Sequence, residues 1–201
     1  LLIYMFSVFL PIILTNIIFY NVTSGNVREQ KIKDNELALQ QVKNNFRQGV
    51  EDAAGVAAVL YSDALLYQFL DMEYNNPVQF IHGYNNNFRD INRYTPGSSS
   101  INAIHLYTEN PTVITAGGVF TINEETREER WYKVTENGRK EYPILTRKMS
   151  DDGQFDEFVV VRDLGGSLRK YEKIVMIYLT KRFIVQSFDS VTFEGEIYLL
   201  N

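Results

Sequence analysis

The first 20 residues, "LLIYMFSVFLPIILTNIIFY", carry no charged side chain, and the first charge in the chain is Arg28. A helix rises about 1.5 Å per residue, so a run of this length matches the roughly 30 Å hydrocarbon core of a bilayer. Pro11 would kink a soluble helix but is tolerated in a membrane span. Asn16 is the only strongly polar side chain in the run, and Tyr20 closes it where interfacial aromatics sit. A secretory signal has a shorter apolar region, roughly 7–15 residues, before a small-residue cleavage site, and "NVTSG" matches such a site weakly. The sequence therefore predicts a transmembrane helix at residues 1–20, in the cell membrane, with the rest of the chain extracellular and the lipid bilayer as a partner. The chain begins at Leu1 and ends in the alternating apolar run "GEIYLLN", so further segments are expected on both sides.

Beyond the apolar run the chain is mixed enough to build a packed core. It has 201 residues, 45% hydrophobic and 22% charged, which allows one or two domains. A formal net charge of -5 without a long basic run argues against nucleic acid as a partner. The absence of Cys excludes disulfide frameworks, thiolate metal sites and cysteine nucleophiles.

After a polar hinge with Ser24 and Gly25, apolar residues recur three and four apart: Leu39, Val42, Phe46, Val50, Ala53, Ala57 and Leu60. That spacing lines one helical face, with Gln40, Lys43, Arg47 and Glu51 opposite. The pattern predicts a long helix from about Val27 to Leu70, broken near Ser62 and core-facing over its later half. Its earlier, polar part could stand in solvent or pair with a second copy. A second helical segment begins at Pro77, capped by Asn76, and "TPGSSS" is a loop.

From Ile101 the period shortens to that of strands. "INAIHLYT" and "TVITAGGVFTI" read as a hairpin, with Gly117 and Gly118 marking a bulge or a close backbone approach. "NEETREERWYKVTEN" reads as a short helix capped by Asn123, with Glu124 and Glu125 in its first turn and Gly138 at its end. "EYPILTRKM" and "FDEFVVVRDL" are strands, "EKIVMIYLT" is the most apolar strand and belongs at the sheet centre, and "KRFIVQSFDSV" is a short helix. The fold class expected is α+β, with a mainly antiparallel sheet flanked by helices. The boundaries expected are 1–20 for the span, 21–70 for hinge and long helix, and 71–201 for the sheet module.

The hairpin "INAIHLYTENPTVITAGG", the helix "EETREERWYKV" and the stretch "FVVVRDLGGSLRKYEKIVMIYLTKRFI", behind a membrane span and a long helix, resemble double-Cache (PAS-like) extracellular sensor domains of bacterial transmembrane sensor histidine kinases. The resemblance implies an extracellular small-molecule pocket, a homodimer, a second membrane helix and a cytoplasmic kinase. No cofactor and no metal is expected. Amino-acid-binding members of that family carry an Arg two residues before the Trp, where it clamps the ligand carboxylate. Here Glu129 holds that position and Arg130 sits beside Trp131, so the carboxylate clamp that Arg geometry supplies is not in its place.

Trp131 and Tyr132 are the leading ligand-binding candidates. An aromatic face stacks on a sugar or another flat apolar surface, and the indole N–H and phenol O–H add direction. The plainer use of Trp131 is to pack its helix on the sheet. Arg162 and Asp163, at the end of an apolar strand, could bind a polar ligand or form an ion pair. Tyr107 could line the same cavity or be a half-buried strand residue. His82 and His105 lack metal-ligand spacing. The pairs Asp151–Asp152 and Glu124–Glu125 sit in turn and cap contexts, and no nucleophile elbow or phosphate loop is present. No catalytic residue is expected. The function expected is extracellular sensing of a small molecule, a carbohydrate being the class in view. The alternatives are a membrane-anchored interaction domain, or the same sensor on a chemotaxis receptor.

Overall fold

The computed structural model describes residues 2–89, 91, 100–138, 142–150, 156–165 and 170–189, with side chains from Phe9 onward. All of the turn "SDDGQ" but Ser150, nearly all of the "TPGSSS" loop and the final strand expected at "GEIYLLN" lie outside the described residues. The elements are α1 (Leu2–Tyr61), α2 (Ala64–Asp71), α3 (Pro77–Gly83) with a π-helical turn (Tyr84–Phe88), β1 (Ile101–Thr108), β2 (Val119–Thr121), α4 (Glu124–Glu128), α5 (Arg130–Asn137), β3 (Ile144–Met149), β4 (Asp156–Asp163), β5 (Lys173–Leu179) and α6 (Lys181–Asp189). The chain divides into two compact units, residues 1–44 with 188–201, and residues 45–187.

In the first unit the helix runs unbroken through Ser24 and Gly25, so no hinge divides the apolar run from the polar stretch after it. Among the described residues, a Cβ added at Gly25 would point into open space, and a single glycine inside a helix costs only about 1 kcal/mol. Pro11 is also accommodated within α1, where the Thr15 hydroxyl donates to the Pro11 carbonyl at 2.8 Å. Every side chain from Phe9 to Tyr20 is exposed. Among the described residues no single helix is long and apolar enough to cross a membrane. The side chains described in the apolar run begin only at Phe9, short of the roughly 20 residues a span needs.

In the second unit the break near Ser62 is present. Asp63 caps α2 by accepting from the backbone N–H groups of Leu65 and Leu66, and Asn76 caps α3. The sheet order is β2-β1-β5-β4-β3, with β5 at the centre and all seven of its residues buried. β1 with β5, β5 with β4 and β4 with β3 pair antiparallel.

The expected hairpin does not form. β2 pairs with β1 in parallel, Leu106 opposite Val119, and covers only three residues. Residues 109–118 therefore loop back to start β2 beside Leu106, so that it runs along the last three residues of β1. The return is made at Gly117 (φ 61°) and Gly118 (φ 90°), which occupy backbone regions that glycine alone enters without strain. A Cβ on Gly117 would also collide with the Tyr84 hydroxyl, which donates to the Gly117 carbonyl at 3.0 Å.

Strand alternation divides the core in two. Ile104 and Leu106 of β1, Val160 of β4 and Val175, Ile177 and Leu179 of β5 face one cluster with Ala53, Ala57 and Leu60 of α1 and Leu66, Phe69 and Leu70 of α2. The later half of the α1 stripe is thus core-facing. Tyr107 of β1, Val159 and Val161 of β4 and Ile174, Met176 and Tyr178 of β5 face the other cluster, with Trp131 and Tyr132 of α5. A bulge between Ile101 and Ala103 shifts the β1 register and turns Ile101 to the helix-rich side. At the far end, Gly49 lets α6 approach α1, because a Cβ there would collide with the Phe183 ring.

A buried clasp joins α2 to the loop after β1. Asn110, fully buried, donates from Nδ2 to the Leu70 and Met72 carbonyls (2.9 and 2.8 Å) and accepts from Thr112 through Oδ1. Lys173 at the start of β5 is also fully buried; its Nζ lies 2.6 Å from Asp71 Oδ1 and donates to the Tyr171 carbonyl at 2.8 Å.

Candidate functional site

The α4–α5 face of the sheet carries a cavity of about 270 Å³, lined among others by His105, Tyr107, Phe120, Tyr178, Glu129 and Lys148. Its floor is made by the strands. His105 and Tyr107 alternate on β1 on the face away from Ile104 and Leu106. Phe120 of β2 comes beside Tyr107 through the parallel register, and Tyr178 of β5 lies beside the β1 bulge. The rings form a continuous ladder: His105 to Tyr178 at 4.6 Å, His105 to Phe120 at 4.8 Å, Phe120 to Tyr107 at 5.3 Å, and Tyr107 to Trp131 at 4.8 Å between centroids. Such a floor offers π-faces to a ligand's flat apolar side.

The walls are polar. Thr115 and Thr121 face each other, Oγ1 to Oγ1 3.0 Å. Asn123 caps α4, its Oδ1 accepting from the Thr126 backbone N–H (2.8 Å) and hydroxyl (2.7 Å). Glu125 stands in the first turn of α4, where a carboxylate suits the helix N-terminus. Glu129 closes that side, and Lys148 of β3 lines the cavity too.

The helix expected over "NEETREERWYKVTEN" is two helices, broken at Glu129 in extended backbone (φ -64°, ψ 143°). The break explains where Trp131 and Tyr132 go. Trp131 is buried between α5 and the sheet, and its indole N–H donates to Glu129 Oε2 at 2.6 Å. Tyr132 is buried with its hydroxyl held by Glu172 at 2.9 Å and by Arg127. Arg127 also pairs with Glu109, and the Glu172 backbone N–H donates to Glu109 Oε2 at 3.2 Å. Burial, then the bond to Glu172, push the Tyr132 hydroxyl well above the usual phenol range. Neither side chain lines the cavity; together they hold α5 on the sheet beside it.

Of the other expected residues, Tyr107 lines the cavity and is 6% exposed. Arg162 lies on the opposite sheet face, its guanidinium carbon 4.1 Å from the Tyr61 ring centroid. Asp163 is buried, and its carboxylate accepts from the Gly165 backbone N–H. Neither Arg162 nor Asp163 reaches the cavity. His105, Phe120, Tyr178 and Lys148 are cavity residues that the sequence does not single out as ligand-binding. The readable signal is alternation, since His105 and Tyr107 share one face of β1. Among the described residues no three His, Asp or Glu side chains converge as a metal site.

Comparison with family models, with curated proteins and with solved structures finds no match.

Proposed function

We propose that this chain is the extracellular sensing portion of a membrane-bound receptor, of the sensor histidine kinase kind, which binds a small carbohydrate-like molecule in the cavity beside α4. The observation that carries the reading is the combination of an aromatic floor with hydroxyl, amide and carboxylate walls. Sugars present both surfaces: an apolar face of C–H groups that stacks on rings, and an edge of hydroxyls that needs donors and acceptors. The volume, just under the usual range for drug-sized ligands, suits a single small ring.

The placement of the cavity supports a signalling use. β1 and β5 carry its floor on one face and core residues packed on the later part of α1 on the other. A ligand that favours one packing of the sheet would bias that long helix. The all-round exposure of residues 9–20 supports the membrane anchor, because an apolar rod without a protein cover is stable only where lipid covers it. In that setting the chain sits in the cell membrane with its sheet outside, and the kinase output and homodimer belong to the whole receptor.

The test is a thermal-shift screen of the full chain in detergent against monosaccharides, amino acids and organic acids. A sugar at one hundred times its Kd should contribute about 2.7 kcal/mol, raising Tm by roughly 5–10 °C. Tyr107→Ala should remove that rise. Stabilisation by organic acids alone, or by none of the compounds, would contradict the sugar-sensor reading.

A further inference from the structure

Three separate features of the site meet at Glu129. It is the joint between α4 and α5, ending one helix and starting the other. Its carboxylate does not cap α5, as a residue at that position commonly would; Oε2 instead accepts the indole N–H of Trp131, two residues on. It also lines the cavity. The residue it grips lies in the core between α5 and the sheet: Trp131 is 1% exposed, packs on Tyr107 at 4.8 Å and holds its own helix through the Thr135 hydroxyl, which donates to the Trp131 carbonyl at 2.8 Å.

We propose that Glu129 is the positioning residue that reads whether the cavity is occupied and passes that state to Trp131 and to the α4–α5 joint. This inference rests on the sensor reading above. A carboxylate has two oxygens and about four lone-pair directions, so it can hold the indole and accept from a ligand hydroxyl or ammonium at the same time. A ligand donor on Glu129 draws charge density from the indole bond and pulls on the extended residue at which one helix gives way to the next. A ligand offering only acceptors finds no partner in Glu129 and leaves the indole bond as it is. The cavity therefore selects for donors at this wall, and Trp131 is the element that moves or is polarised when a donor arrives.

The chain supplies its own reporter, because Trp131 is the only tryptophan. Its indole N–H gives a single side-chain cross-peak in a ¹H–¹⁵N spectrum of the full chain in detergent. Two probes are used: D-glucosamine, which carries hydroxyls and a protonated amine, and succinate, which at neutral pH carries acceptors alone. D-Glucosamine should shift the indole peak in the parent and raise Tm, while succinate does neither. Glu129→Gln keeps the size of the side chain but loses the charge. It should move the resting indole peak, raise the apparent Kd for D-glucosamine about tenfold or more, and abolish the ligand-dependent part of the indole shift. Glu128→Gln, one residue away, pairs with Lys133 outside the cavity and should leave both readouts as in the parent. A parent chain that D-glucosamine stabilises without moving the indole peak would overturn the role of Glu129 while leaving the sensor reading intact. A Glu129→Gln chain that keeps the full ligand-dependent shift would overturn it as well. No stabilisation by D-glucosamine would overturn the role of Glu129 as the reader of donor-bearing ligands, while the sensor reading stands or falls on the wider sugar screen.

Discussion

Tyr74 ties the stability of the fold at alkaline pH to a buried side chain. It is 6% exposed, and its hydroxyl donates to the Phe69 carbonyl at 2.7 Å. Burial pushes its pKa up from 10.0 to about 12. A phenol whose pKa is raised on folding favours the protonated native state, so its contribution is complete below the unfolded value and falls as pH rises through the folded one. Stability should therefore drop between pH 10 and about pH 12, and Tyr132, shifted in the same direction, adds to the fall. Urea unfolding across that window should show a shallower decline in Tyr74→Phe than in the parent, even though the variant is less stable at neutral pH. Parallel pH curves for the two chains would show that Tyr74 is not a source of the decline. The candidate site is partly legible at this scale. Alternation finds Tyr107, whereas the role of Glu129 depends on a helix break that the sequence does not announce.

At the scale of elements, the structure departs from local pattern where backbone geometry decides the path. β5 is readable as the central strand because six of its residues are apolar and all seven are buried. The path from β1 to β2 is not, because the sign of their pairing depends on how residues 109–118 return, and that is set by two positive-φ glycines and a contact with distant Tyr84. The hinge expected at Ser24 and Gly25 fails for the opposite reason: polar residues and one glycine are compatible with a helix. The exception within β5 is Lys173, whose charge is neutralised by Asp71 at the C-terminus of α2. Removing one partner of a buried pair leaves the other charge without compensation. Asp71→Asn should cost about 3 kcal/mol, because the charge it leaves without a partner, on Lys173, is fully buried. Replacing both, Asp71→Asn with Lys173→Met, should restore most of that loss, since two neutral groups need no pairing. A double variant as unstable as the single one, by urea unfolding, would place the cost in packing and not in charge.

At the scale of the molecule, the first unit presents an apolar stretch whose side chains from Phe9 to Tyr20 are all exposed, and the second presents a sheet with a filled core on both faces and an aromatic, polar-rimmed cavity beside α4. The α+β class, the long helix and the helix–sheet layering are legible, because hydrophobic period reports which face is buried. The cavity is not, because it is made by the space between α4 and the strands and not by any residue alone. The central claim is that this space is a ligand site. The most direct measurement is a crystal structure of the chain grown with the monosaccharide that raises its Tm most. The account predicts a sugar ring stacked on Tyr107 and Phe120, with a hydroxyl or amine within hydrogen-bond distance of Glu129. A sugar bound elsewhere, with Tyr107 and Glu129 untouched, would contradict it.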